Sequence, residues 1–177
     1  MKTIKQASMK TKLTTLVFAL CCGITFAQHD HAGNDQSKTQ TTTATFKDSK
    51  LGAAYAHYLI VKDALVASNA EDAKKAADEF QKLLKDVKGS AAVLAATTKF
   101  ASTSVLSEQR KLFSAVSNEM TTLVKGGQLS SGALYLEYCP MANGNEGAYW
   151  LSNEKQIKNP YFGDRMLKCG SVKETIQ

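Results

Sequence analysis

Apolar residues between Leu51 and Leu123 recur at alternating spacings of three and four, with polar residues filling the intervals. That is the pattern of helices with one buried face. Leu51, Ala54, Tyr58, Val61 and Leu65 form the first stripe. Ser68 followed by Glu71 predicts a capping box for a second helix. This helix carries Ala73, Ala76, Phe80, Leu83 and Val87 and stops at Gly89. Ser90 predicts the cap of a shorter, alanine-rich helix reaching about Phe100. A fourth helix, capped by Ser104, turns Leu106, Phe113, Val116, Met120 and Leu123 inward and ends at Gly126-Gly127. Short connections make successive helices antiparallel, so the predicted fold is mainly α, a four-helix bundle.

From Leu134 the pattern changes. Leu134, Leu136 and Tyr138 alternate with Tyr135 and Glu137, which predicts a short strand. Residues 143–147 read NGNEG, a turn, and Ala148–Leu151 can return as the second strand of a β-hairpin. Ser152 or Asn153 predicts a brief helix around Lys155–Ile157, before Asn159-Pro160 turns the chain. Both prolines and the single tryptophan lie in this 134–177 segment. Such punctuated sequence is better suited to a site than to a core.

The N-terminus reads as an export signal over residues 1–27. Lys2, Lys5, Lys10 and Lys12 precede an apolar run, and Thr25 and Ala27 offer a cleavage site before Gln28. The run Leu13–Phe26 is shorter than the about 20 residues that span a bilayer, so no transmembrane segment is expected after cleavage. The alternative is a lipoprotein held through Cys21 or Cys22, although Leu20 and Cys21 stand where a lipobox wants a small residue. Residues 28–45 contain no large apolar side chain and predict a disordered linker, leaving residues 46–177 as the folded domain. His29 and His31 next to the new amino terminus form either a Cu(II)- or Ni(II)-binding end or simply a solvated tail.

Charge and cysteine content narrow the classes. The formal charge of +6 falls away with the four leader lysines, since 18 basic residues then face 16 acidic ones. The remaining charges alternate in sign, which argues against nucleic acid as a partner. Only Cys139 and Cys169 survive cleavage, and two cysteines in an exported chain imply one disulfide or one soft-metal site. In an extended segment Cys139 and Met141 share a face. In a helical turn Met166 and Cys169 do the same. Two thiols and two thioethers together select soft ions, Cu(I) above all. Met120 belongs to the core stripe, and His57 is a boundary residue beside the first stripe. Tyr149, Trp150, Tyr161 and Phe162 are expected to seal the C-terminal segment onto the bundle. No phosphate loop, HExxH or nucleophile elbow is present, so no enzyme is expected.

The run YCPMANGNEGAYWLSNEKQIKNPYFGDRMLKCG, with the looser YLIVKDALVASNAEDAKKAADEF, resembles an uncharacterised bacterial periplasmic domain-of-unknown-function family. Its members occur as small secreted proteins and fused to adaptor subunits of heavy-metal (copper and silver) efflux pumps. The resemblance implies a helical bundle, a periplasmic or secreted location and a link to metal handling. The Cys-Pro-Met triplet also resembles short heavy-metal-binding modules in which histidine follows, but here Ala142 stands in that place. The expectation is a Cu(I)-binding protein that hands the ion towards an efflux adaptor or another envelope protein. Its metal ligands would be Cys139, Met141, Met166 and Cys169, with Pro140 stiffening the approach and Lys168 favouring thiolates. The alternative is a disulfide-stapled interaction module without metal.

Overall fold

The computed structural model describes residues 44–126 and 128–177. The chain divides into two units, 1–38 and 39–177, and every described residue belongs to the second. The export signal, Cys21, Cys22, His29, His31 and the linker up to residue 43 lie outside the described residues. The last two linker residues do not. Ala44 is buried, and Thr45 pairs with Ser131.

Helix α1 (Ser49–Val66) starts where the Asp48 carboxylate accepts from the Lys50 amide, 2.8 Å away. It buries Leu51, Ala54, Tyr58, Val61 and Leu65, the expected stripe, together with Tyr55 and Lys62. The cap of α2 (Ala70–Leu84) is one residue later than expected. Asn69 Oδ1 accepts from the Asp72 amide at 3.0 Å, whereas Ser68 adopts a positive φ of 58° and its hydroxyl accepts from Arg110. Such a cap contributes about 1 kcal/mol. Helix α2 ends at Leu84, before Gly89. Ser90 holds the N-cap position of α3 (Ala91–Ala101) as expected, but its hydroxyl makes no cap hydrogen bond there and donates instead to the Leu84 and Val87 carbonyls at 2.5 and 2.8 Å, closing the end of α2. Helix α4 (Leu106–Lys125) follows Val105, which has no side-chain acceptor to offer, and ends at Gly126.

The helices pack in sequence order, α1 on α2, α2 on α3 and α3 on α4. Tyr58 closes the arrangement. Its ring stacks on Phe113 of α4 with centroids 5.5 Å apart. Its hydroxyl bonds Ser117 Oγ at 2.8 Å and accepts from the Leu151 amide at 2.9 Å. Tyr58, Phe80, Phe100, Phe113 and Met120 are all fully buried, each contributing roughly 1.5–3 kcal/mol by leaving water.

Two small sheets accompany the helices. Strands β1 (Thr45–Phe46) and β2 (Leu129–Ser131) pair antiparallel across α1–α4. Strands β3 (Leu134–Cys139), β4 (Ala148–Ser152) and β5 (Ser171–Ile176) form an antiparallel sheet in the order β4-β3-β5. The expected hairpin is therefore present, with a third strand beside it. No helix forms at Lys155–Ile157. Ser152 Oγ instead accepts from the Glu154 amide at 3.0 Å in a bend. A 3-10 turn occupies Gly163–Met166. Among the described residues no helix is long and apolar enough to cross a membrane.

Candidate functional site

Cys139 ends β3, opposite Ala148. Cys169 lies two residues before β5, where the β3–β5 ladder returns the chain to the same end of the sheet. The two sulfurs, thirty residues apart in sequence, stand 2.7 Å apart. Cys139 is fully buried and Cys169 half-buried. The hydrogen bond that Cys169 shares with Cys139, reinforced by burial, pushes its thiol up to about 11. Lys168 is exposed, and the Cys169 thiol is raised, the opposite of the bias expected for it.

The loop carrying Cys169 is held from below by Asn159, which is fully buried. Asn159 Nδ2 donates to the Cys169 carbonyl at 2.7 Å, and its Oδ1 accepts from the Tyr161 amide at 2.8 Å. The Tyr161 hydroxyl donates to the Tyr149 carbonyl at 2.7 Å, and its ring meets Trp150 edge-on and Phe113 at a tilt, each with centroids 5.9 Å apart. Tyr161 and Trp150 thus seal the segment onto α4 as expected. Tyr149, by contrast, is partly exposed and packs on Tyr138. Gly170 is required here, because a Cβ on it would lie 2.9 Å from both Trp150 Cη2 and the Tyr138 carbonyl.

The methionines stand differently. Met166 ends the 3-10 turn, is half-buried, and accepts from the Cys169 amide at 3.0 Å through its carbonyl, so the helical-turn spacing is present. Met141 has left the extended conformation, with φ −90° and ψ −7°, and is 45% exposed. The extended-strand argument that joined it to Cys139 therefore does not apply, because β3 stops at Cys139. Met120 is core, and His57 Nδ1 pairs with the Ala53 carbonyl of its own helix. Among the described residues no group of three or more His, Cys, Asp or Glu side chains is placed to hold a metal ion, so among these residue types a metal at the thiols would rest on the two cysteine sulfurs.

One buried group breaks the alternation of burial along β3. Glu137 is fully buried and sits directly across from Trp150, also fully buried. The phase changes at a bulge between Leu136 and Glu137 in the β3–β5 pairing. Neither carboxylate oxygen has a hydrogen-bond partner, nor do Trp150 Nε1 and Tyr55 Oη. Burial pushes the Glu137 carboxyl up to about 8. Lys62, largely buried on α1, and the nearby indole N–H pull it back only in part, without a hydrogen bond forming. Desolvation outweighs the ammonium's attraction because the ammonium already pairs with Asp63 at 2.9 Å.

The fold and site define a mainly helical domain whose small C-terminal sheet brings two thiols together. Residues 54–132 match the model of a family described as a protein of unknown function (DUF3347). The match runs from within α1 to the end of β2, so it covers the helices and stops before the thiol-bearing sheet. No curated protein and no solved structure matches the chain.

Proposed function

We propose that this protein binds a soft monovalent ion, Cu(I) in the first place, in the periplasm or outside the cell, and passes it towards a heavy-metal efflux adaptor. The observation that supports this reading is the convergence of Cys139 and Cys169 to 2.7 Å, with Cys169 partly open to solvent. Thiolate pairs select Cu(I) over harder cations, and Met166 and Met141 offer thioethers for further coordination. The location and partner rest on the resemblance of the C-terminal run and on the leader. No catalytic step is proposed.

The raised Cys169 thiol has a consequence for the ion. Binding must displace a thiol proton, so affinity should rise with pH. The sulfurs also stand closer than two ligands each about 2.3 Å from one metal would sit, so the Cys169 side must open. That same closeness favours a second reading. The pair needs only a small movement to reach the about 2.05 Å of a disulfide, and a bond closing this thirty-residue loop would stabilise by about 3–4 kcal/mol.

Titrating the reduced mature protein with Cu(I) against a chromogenic chelator tests the first reading. Wild type should take up one ion. Cys139→Ser and Cys169→Ser should each lose it. Met166→Leu and Met141→Leu should weaken binding while costing less than about 1.5 kcal/mol of stability. Reduced wild type that binds no better than a free dithiol peptide refutes the metal reading. Under the disulfide reading, both cysteine variants lose about 2–5 kcal/mol in oxidising conditions and the methionine variants change nothing.

A further inference from the structure

A second site lies away from the thiols, where the 3-10 turn meets the start of α4. Arg110 on α4 is 9% exposed. Its Nε donates to the Pro160 carbonyl at 3.0 Å, and its Nη2 donates to the Leu65 carbonyl and to Ser68 Oγ at 3.0 and 2.9 Å. All three acceptors are neutral. Among the described residues neither Arg110 nor Arg165 forms an ion pair. Taking a guanidinium out of water without a counter-charge is costly, and such groups are normally paired.

Both arginines border a cavity of about 690 Å³, a size typical of small-molecule sites. Lys111 stands on its rim, with its charge shared by Glu108 at 3.1 Å. Asp164 is the one carboxylate that lines the cavity. Burial holds the Arg110 guanidinium below its usual value, and the Arg165 charge adds to the effect. Ser107 and Asn143 add neutral donors, and the first turn of α4 opens here without a side-chain cap. Leu106 and Phe162 supply an apolar wall.

We propose that this cavity binds a small organic oxyanion, a carboxylate- or phosphate-bearing molecule with an apolar body, whose anionic group rests between Arg110 and Arg165. Three of the five N–H donors of the buried arginine are committed to neutral acceptors that fix its plane, which leaves the two Nη1 N–H groups, short of a counter-charge inside the protein, to meet the anion. The Arg165 side chain, exposed and without an ion pair among the described residues, closes over the ligand from the 3-10 turn.

Amide NMR titrations of the full mature chain test this with four probes: phenyl phosphate, benzoate, inorganic phosphate and the neutral control benzyl alcohol. Phenyl phosphate or benzoate should bind with a Kd at or below about 1 mM and shift resonances of Ser107, Arg110 and Phe162. Arg165→Gln, which removes no contact that holds the fold, should weaken that binding by about tenfold or more. Arg110→Gln risks misfolding, so it carries no part of the test. Absence of binding by every anion, an unchanged affinity in Arg165→Gln, or equal binding of benzyl alcohol would each overturn the proposal. Binding of inorganic phosphate alone would overturn the assignment of an organic ligand.

Discussion

Replacing Glu137 by Gln keeps the shape of a fully buried side chain and removes its titration. In the folded protein the carboxyl holds its proton up to about pH 8, and in the unfolded chain only to 4.5. Between those values the folded state binds more protons than the unfolded one, so stability must fall as pH rises. This is the reverse of the usual carboxylate, which stabilises above its unfolded value. The contribution is flat below about 4.5, declines through the interval, and is flat again above about 8. At 1.36 kcal/mol for each pK unit the whole interval is worth at most about 5 kcal/mol. Relaxation and water entry around the ionised group bring the expected loss to roughly 2–4 kcal/mol.

The assay is urea unfolding of wild type and Glu137→Gln from pH 5 to pH 9, both in the same redox state. At pH 5 the two should differ little, since a neutral acid and an amide face the same Trp150 and Tyr55. By pH 9 the variant should be the more stable by roughly 2–4 kcal/mol. Every other titrating group cancels in the difference between the two proteins. Parallel stability curves across this range would refute the reasoning, because they would mean that Glu137 ionises in the fold as easily as in the unfolded chain.

Asn159→Ala leaves the Tyr161 amide and the Cys169 carbonyl without their side-chain partners, and should cost about 2–4 kcal/mol in thermal unfolding of the reduced protein. A loss below about 0.5 kcal/mol would show that water replaces it. Gly163→Ala places a Cβ 2.8 Å from Arg110 Nη2 and 2.6 Å from Ser68 Oγ at a φ of +59°, so about 2 kcal/mol or more should be lost in chemical unfolding. A neutral outcome there would mean that the loop shifts away from α4.

Much of the helical layer was legible because its stripes are regular. Every expected inward residue of α1 is buried, as are Phe80, Phe113, Val116 and Met120. What escaped were polar residues inside that layer. The α4 stripe jumps seven positions from Leu106 to Phe113, and a helix cannot skip two turns of its own buried face. Gln109 and Arg110 fill the gap, and both are buried. The gap was the available signal, hidden because only apolar residues define a stripe. The caps slipped because Ser68 and Ser90 can serve either side of a turn, and the choice depends on which carbonyl or guanidinium lies nearby. Strand β5 escaped because Ser171–Ile176 carries a lysine and a glutamate, as edge strands tolerate, and is mostly exposed. The two thiols could be grouped by their chemistry, but the β3–β5 ladder that brings them together was not legible, and neither was the burial of Glu137. Alternation assigns a charge outward unless a bulge shifts the phase, and the bulge leaves no mark in the sequence.

The two proposed sites share one support. Residues 159–163 are tied to the Cys169 loop through Asn159 Nδ2, to β4 through the Tyr161 hydroxyl, and to α4 through the Pro160 carbonyl, which accepts from Arg110. If a metal ion spreads the sulfurs, the Asn159–Cys169 hydrogen bond is the first link to stretch, since it holds the moving loop directly. One such bond is worth about 1 kcal/mol net. Structural zinc sites in zinc-finger peptides, the nearest thiolate comparison, bind with roughly 10–16 kcal/mol. The brace is therefore too weak to prevent the loop from opening. It is still strong enough to keep the reduced thiols together without an ion, which spares an incoming ion part of the entropy of assembling its ligands. The connections to α4 and β4 remain on the far side of Asn159, so the opening can stay confined to the Cys169 loop while Arg110 keeps its place in the second site.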